Sequence, residues 1–155
     1  MASPQFQTVQ NVAKDLGAET RTYFDLVRTH SCVTTRSSDV FKEYGLTEQQ
    51  YHVLRVLQSA GPQGLQCLEI ARQLPTPAPD VTRLLDRMLR NRLVTRDRLP
   101  SDRRVVMVSL TERGLQALEA VRPLFSEFHR ERLSHMSSDE LDLLTRLLRK
   151  ARGEA

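Results

Sequence analysis

The sequence predicts a mainly α-helical fold carrying one small β-hairpin. Three observations predict it. Apolar residues recur at helical spacing on both sides of residues 94–110, and capping boxes mark helix starts at Thr47 and Ser137. Between those helices, Val94–Arg98 and Val105–Leu110 are rich in β-branched residues and are joined by Leu99-Pro-Ser-Asp-Arg-Arg104, a turn-forming composition. The charge is local as well. Asp80 to Arg104 holds eight arginines against four aspartates, a surplus equal to the net charge of the whole chain, +4. A local basic surplus suits a polyanionic partner at that place.

Taken in order, residues 1 to 17 are polar and read as a short helix or a loose arm. From Ala18 to Tyr44 neither Pro nor Gly interrupts the chain, and Tyr23, Val27, His30, Thr34, Ser37, Phe41 and Tyr44 recur at alternating steps of four and three, so the stretch reads as one helical seam. Its polar middle suits a helix shared between subunits or the wall of a cavity. A helix follows from Thr47 to about Ser59, with Leu46 positioned to staple against Tyr51. Ala60-Gly-Pro-Gln-Gly64 breaks the chain, Leu65 to Leu74 forms a third helix, and Pro75, Pro77 and Pro79 make a stiff turn. The fourth helix packs Val81, Leu84, Leu85 and Met88 and turns Asp80, Arg83, Arg87 and Arg90 outward. After the hairpin, Thr111 caps a helix to about Ser134 with a kink expected at Pro123. The last helix carries Leu141, Leu144, Leu147 and Leu148 on one side, a stripe that needs a partner surface.

A helix with a cationic outer face followed by an Arg-tipped hairpin is the layout of a winged helix-turn-helix. The expected organisation is one folding unit in three parts. Residues 1–45 supply an N-terminal arm and dimerisation helix, 46–114 the winged lobe, and 115–155 the C-terminal dimerisation helices.

Composition narrows the function. At 155 residues with 39% hydrophobic content, the chain can bury one core of ordinary size. No run approaches the roughly 18 apolar residues of a membrane span, and Met1-Ala-Ser-Pro-Gln lacks the layout of a secretory signal, so a cytoplasmic protein without membrane contact is expected. Cys32 and Cys67 form no C-x-x-C pair, and His30, His52, His129 and His135 show no ligand spacing, so neither metal nor cofactor is expected. No nucleophile–base set or Gly-rich phosphate loop is present, which speaks against an enzyme. With no Trp and 5% aromatic residues, base stacking on single strands is disfavoured, and duplex DNA fits better.

Several segments match a known pattern in order and spacing. They are Leu46-Thr47-x-x-Gln50-Tyr51-x-Val53-Leu54, Glu69-Ile70-Ala71-x-x-Leu74, Val81-Thr82-Arg83-Leu84-Leu85-Asp86-Arg87-Met88 and Leu93-Val94-x-Arg96. The most specific is the wing, Asp102-Arg103-Arg104 followed by Val108-Ser109-Leu110-Thr111-x-x-Gly114. From Leu46 to Gly114 the chain resembles the MarR (multiple antibiotic resistance regulator) family of bacterial winged-helix transcription factors. That resemblance implies a homodimer with interleaved terminal helices on a pseudo-palindromic operator. It also implies a small molecule or an oxidant that lowers DNA affinity, with repression the commonest output. Two departures stand out. Arg92 replaces the family's usual Gly after the recognition helix, with the left-handed turn then expected at Asn91, and Gln66 replaces the usual Ser/Thr cap of the third helix.

The candidate DNA contacts are Asp80, Thr82, Arg83, Arg87 and Arg90 on the fourth helix and Asp102, Arg103 and Arg104 on the hairpin. Arg83 and Arg87 share a face that can enter a major groove, where a bidentate Arg–guanine contact is worth about 1–3 kcal/mol of discrimination. Arg103 and Arg104 suit a narrow minor groove, and Asp102 is expected to hold Arg104 by a charge-assisted bond. For a small aromatic or anionic effector, the expected crevice between the dimerisation helices and the lobe offers Tyr23, His30, Tyr51 and Arg55. The alternative output is a cysteine-based oxidant sensor. It rests on Cys32, which has Arg28 and Arg36 one helical turn away on either side, and flanking cations favour a thiolate in general.

Overall fold

The computed structural model describes residues 17–76, 78–99 and 102–154. The expected N-terminal helix or arm over residues 1–16 lies outside the described residues, as do Pro77, Pro100 and Ser101 of the two proline-bearing turns. The chain divides into two compact units, one ending at Thr35 and the other beginning at Arg36.

The first unit contributes α1 (Ala18–Thr34), which has no buried residue and exposes Tyr23, Phe24, Leu26 and Val27. The single seam expected from Ala18 to Tyr44 is broken. Thr34 and Thr35 each turn the hydroxyl back onto the carbonyl four residues earlier, both at 2.7 Å, and Arg36 then takes a left-handed φ of 64°. Hydroxyls that bond back to the backbone weaken a helix locally, and the run Thr-Thr-Arg-Ser-Ser has little propensity to resist.

In the second unit, α2 (Ser37–Lys42) leads into α3 (Glu48–Ala60), α4 (Cys67–Gln73) and α5 (Val81–Arg90). The hairpin β1 (Val94–Arg98) and β2 (Val106–Leu110) follows, then α6 (Glu112–Arg132) and α7 (Ser138–Ala151). Thr47 starts α3 through a complete capping box: its hydroxyl accepts from the Gln50 N–H at 3.2 Å and its own N–H donates to Gln50 Oε1 at 2.9 Å. At α4 Glu69 reaches back in the same way, accepting the Gln66 N–H at 2.8 Å. The apolar stripe anticipated on α5 meets Tyr51, Val53, Leu54 and Leu57 of α3 in one core with Phe41, Ile70, Val94, Val108, Leu118 and Val121.

Three helices close with the same pair of bonds. After α2 the Leu46 N–H reaches Phe41 O and Gly45 N–H reaches Lys42 O; after α7 Glu154 and Gly153 repeat this onto Arg149 and Lys150. After α5 the Leu93 N–H reaches Met88 O at 2.9 Å and Arg92 N–H reaches Leu89 O at 3.0 Å. This Schellman closure puts its left-handed residue second after the last helical turn. It therefore falls on Arg92 (φ 58°), not on Asn91 (φ −81°), which corrects the sequence expectation.

The hairpin is fastened from its base to its middle rung. Leu65 and Val108 exchange both backbone bonds, at 3.0 and 2.8 Å, so the chain before α4 adds a bridge to β2. Gly114 leaves room for the Leu93 carbonyl, which would lie 2.1 Å from any Cβ placed there. The Thr111 hydroxyl accepts from the Gly114 N–H at 2.9 Å, capping α6, and donates to Arg92 O at 2.7 Å, the exit of α5. From there α6 continues through Pro123 as one element, roughly 30 Å long at 1.5 Å per residue. By contrast α7 buries nothing completely. Leu141, Leu144 and Leu148 are partly covered, while Leu143 and Leu147 stand 48% and 55% exposed.

Candidate nucleic-acid interface

The course of the chain sets which arginines share an end. Helix α5 runs toward the base of the hairpin, where Val94 pairs with Leu110, and β1 then runs back toward the tip, where Arg98 pairs with Val106. Arg96 Nη1 meets Asp86 Oδ1 at 2.6 Å midway along both elements. Counting about 1.5 Å per residue up the helix and about 3.3 Å along the strand, Arg83 lies on the tip side of that pair and Arg90 on the base side. Asp80, Thr82 and Arg83 thus belong to the end of α5 nearer the tip, and Arg87 lies between. Arg83, Asp86, Arg87 and Arg90 together line a shallow groove along the outer face of α5.

Asp80 is the N-cap of α5. Its carboxylate accepts from the Arg83 backbone N–H at 2.9 Å and from Arg83 Nε at 3.0 Å. Arg83 is 85% exposed, so this ion pair is solvated and weak, and the guanidinium can exchange it for another anion. At the tip, Asp102 does act on Arg104, but through the backbone. Oδ1 accepts the Arg104 N–H at 2.9 Å, and the side chain of Arg104 is left exposed. An Asp side chain readily reaches the N–H two residues on, which is why it shapes the turn rather than holding the guanidinium. Arg103 and Arg104 are exposed beside each other.

The other candidates fall in different places. Tyr23 and His30 are exposed on α1. Tyr51 is 1% exposed and packs its ring 5.4 Å from Phe41 and 5.0 Å from Phe125, so the core takes the side chain expected to line a pocket. Arg55 is exposed and lines an open cavity of about 340 Å³ with His52, Val56, Ser59, Gln73 and Pro75. Cys32 is exposed on α1, and Cys67 Sγ lies 3.8 Å from Thr82 Oγ1, between α4 and the first turn of α5.

Two residues went unselected in the sequence. Asp86 and Arg96 both appear in the matched segments, yet neither was expected to act. The strand alternation carried the signal, since Arg96 shares the inward face of Val94 and an inward guanidinium needs an acid.

A second polar group sits where α2, α3 and α6 meet. Glu48 accepts from Ser37 Oγ at 2.9 Å and lies 3.6 Å from His52 Nε2, while Phe125 packs against His52 and, edge to face at 4.4 Å, His129. Burial pulls both histidines below their ordinary value, with Glu48 opposing it in each case. A histidine whose folded value is depressed binds protons less readily than its unfolded form. Stability is therefore full above the ordinary value, near 6.5, and is lost as pH falls through that value toward the folded one. In urea melts, the wild-type midpoint falls between pH 7 and pH 5.5, and the double variant His52→Gln/His129→Gln shows a flatter fall over roughly that interval.

Residues 46–106 match the MarR family model. The HTH-type transcriptional regulator YkoM of Bacillus subtilis is 33% identical over 129 residues, covering 83% of this chain and 82% of YkoM. The chain belongs to the MarR family. Among solved structures, a MarR transcription factor from Planctomyces limnophilus is 38% identical with a TM-score of 0.66, covering 87% of this chain and 98% of that one. A MepR–DNA complex from Staphylococcus aureus is 25% identical with a TM-score of 0.73, covering 86% and 97%. MarR proteins are winged-helix transcriptional regulators, and in this member α4 and α5 form the helix-turn-helix with β1 and β2 as the wing. No helix among the described residues is long and apolar enough to cross a membrane.

Proposed function

We propose that this MarR-family chain binds duplex DNA sequence-specifically as a homodimer in the cytoplasm, represses transcription, and has its affinity tuned by a small effector. The observation that carries the reading is the shared end of α5 and the wing. By residue count, exposed Arg83 falls on the same side of the Asp86–Arg96 pair as exposed Arg103 and Arg104, on a lobe whose fold is also that of MepR in its DNA complex. Arg83 and Arg87 read a major groove, and the wing enters the adjoining minor groove. Residues 46–114 serve as the DNA-binding lobe, and 1–45 with 115–155 as dimerisation segments.

For the effector, the cavity at Arg55 offers a guanidinium, an imidazole, a hydroxyl and an amide around an apolar floor of Val56 and Pro75, a set suited to a small aromatic carboxylate. It also abuts the segment leading from α4 to α5. A second reading, release from DNA by oxidation of Cys32, draws on the exposure of that residue on α1.

The test is a footprint on duplexes selected by the protein from a random-sequence pool. Two protected half-sites about one helical turn apart are expected, with affinity falling steeply between about 50 and 200 mM salt. A single unstructured footprint, or salt-independent binding, defeats the proposal.

A further inference from the structure

We infer that Asp86 and Arg96 form a positioning couple that fixes the wing against the recognition helix, so that major-groove and minor-groove contacts are made together. The inference rests on the DNA-binding reading above.

The couple is placed for this role. Arg96 lies on the inward face of β1 between buried Val94 and Arg98 at the open end, and it is 28% exposed against 39% for Asp86. Partial burial makes such a pair stronger than the solvated Arg83–Asp80 pair. Asp86 has Arg83 and Arg90 on its own helix at spacings of three and four, where helical ion pairs form, yet its carboxylate bonds across to the strand. Among the described residues this is the one ion pair that joins α5 to the hairpin.

The backbone fastenings, at Leu65–Val108, Leu93 and Thr111, all lie at the base of the wing or no farther out than Val108. A two-stranded ribbon is pliable beyond its last anchor, so the direction of the outer wing depends on what holds it from the side. Arg96 pairs with Val108 in register, and its bond to Asp86 therefore holds β1 at the last anchored rung, from which Arg98 and the arginine tip project. The same bond neutralises the one carboxylate in the groove of Arg83, Arg87 and Arg90, where a free negative charge would repel phosphate.

Asp86→Asn separates positioning from charge, because the two predict opposite signs. Removing a negative charge from a face that meets a polyanion tightens binding if only charge matters. If Asp86 positions the wing, the variant binds a duplex selected by the wild type about tenfold more weakly. It then loses hydroxyl-radical protection in the flanking minor grooves while guanine N7 in the central major grooves stays protected from dimethyl sulfate. Its salt slope also falls by roughly two per lobe, as Arg103 and Arg104 leave their phosphates.

A merely structural role lowers the melting temperature without moving the footprint selectively. Arg96→Gln gives the same selective loss, and the double variant binds no more weakly than either single one. Equal or tighter binding by Asp86→Asn with wing protection intact, or additive losses in the double variant, overturns the inference. Failure of the wild type to select any duplex overturns the DNA-binding reading itself, so the two failures are distinct.

Discussion

With Leu143 and Leu147 both replaced by aspartate, the protein sediments as a monomer and its affinity for a two-half-site duplex falls by at least about 100-fold. Both side chains stand exposed on α7, a helix that buries none of its residues completely within its own chain. Burying a leucine is worth about 1.5–3 kcal/mol, and a carboxylate in its place carries a further cost for leaving water. Once the copies separate, the second half-site is bound from bulk concentration rather than from a tethered lobe, and the gain from linkage disappears. Because neither leucine belongs to the buried core, the helical circular dichroism stays close to wild type, while the urea midpoint falls to a value that no longer depends on protein concentration. A variant that still sediments as a dimer, or a monomer that binds as tightly as wild type, places the pairing surface elsewhere.

Arg83→Ala weakens binding to the selected duplex by about 10- to 100-fold and relaxes the base preference at one position in each half-site, as loss of a bidentate base contact does. Arg90→Ala, at the base-side end of the same helix, weakens binding about threefold or less and leaves the preferred sequence unchanged, as loss of a peripheral charge does. The contrast follows from counting residues on either side of the Asp86–Arg96 pair, which puts Arg83 toward the tip and Arg90 toward the base. Competition binding against duplexes substituted one position at a time separates the two. Equal losses with no change of preference would mean that the arginines act only through charge. The solvated Asp80 pair contributes little, so Arg83→Ala leaves the melting temperature nearly unchanged.

Local sequence chemistry was informative where a bond is made within a few residues. Thr47, Ser137 and Thr111 all cap helices in the structure, and the β-branched runs pair with Val94 opposite Leu110. The seam through Thr34 and Ser37 misled because periodicity counts spacing and ignores hydroxyls that bond back to the helix. The left-handed turn expected at Asn91 misled for a related reason, since it falls on Arg92, the position of the family's glycine. Which residue turns left-handed is decided by the two closing bonds to Met88 and Leu89, and the better propensity of the neighbouring Asn91 does not outweigh them.

At the site, the cationic faces were legible because charge and helical phase suffice to place them. The Asp86–Arg96 bond was not, since it joins residues ten apart through a tertiary approach that no spacing rule encodes. Tyr51 shows the opposite difficulty. Its phenol suggested a ligand contact, but Phe41 and Phe125 enclose the ring, and Phe125 comes from a helix far along the chain.

The hydroxyl of Thr111 has a mechanical consequence. One atom closes the first turn of α6 while holding the Arg92 carbonyl at the exit of α5, and Gly114 seats the next carbonyl, that of Leu93, with no space to spare. The reading head and the beginning of the long helix are thereby welded. A torque applied along α6 would therefore swivel the lobe as a block, leaving the seating of β1 against the exit of α5 intact.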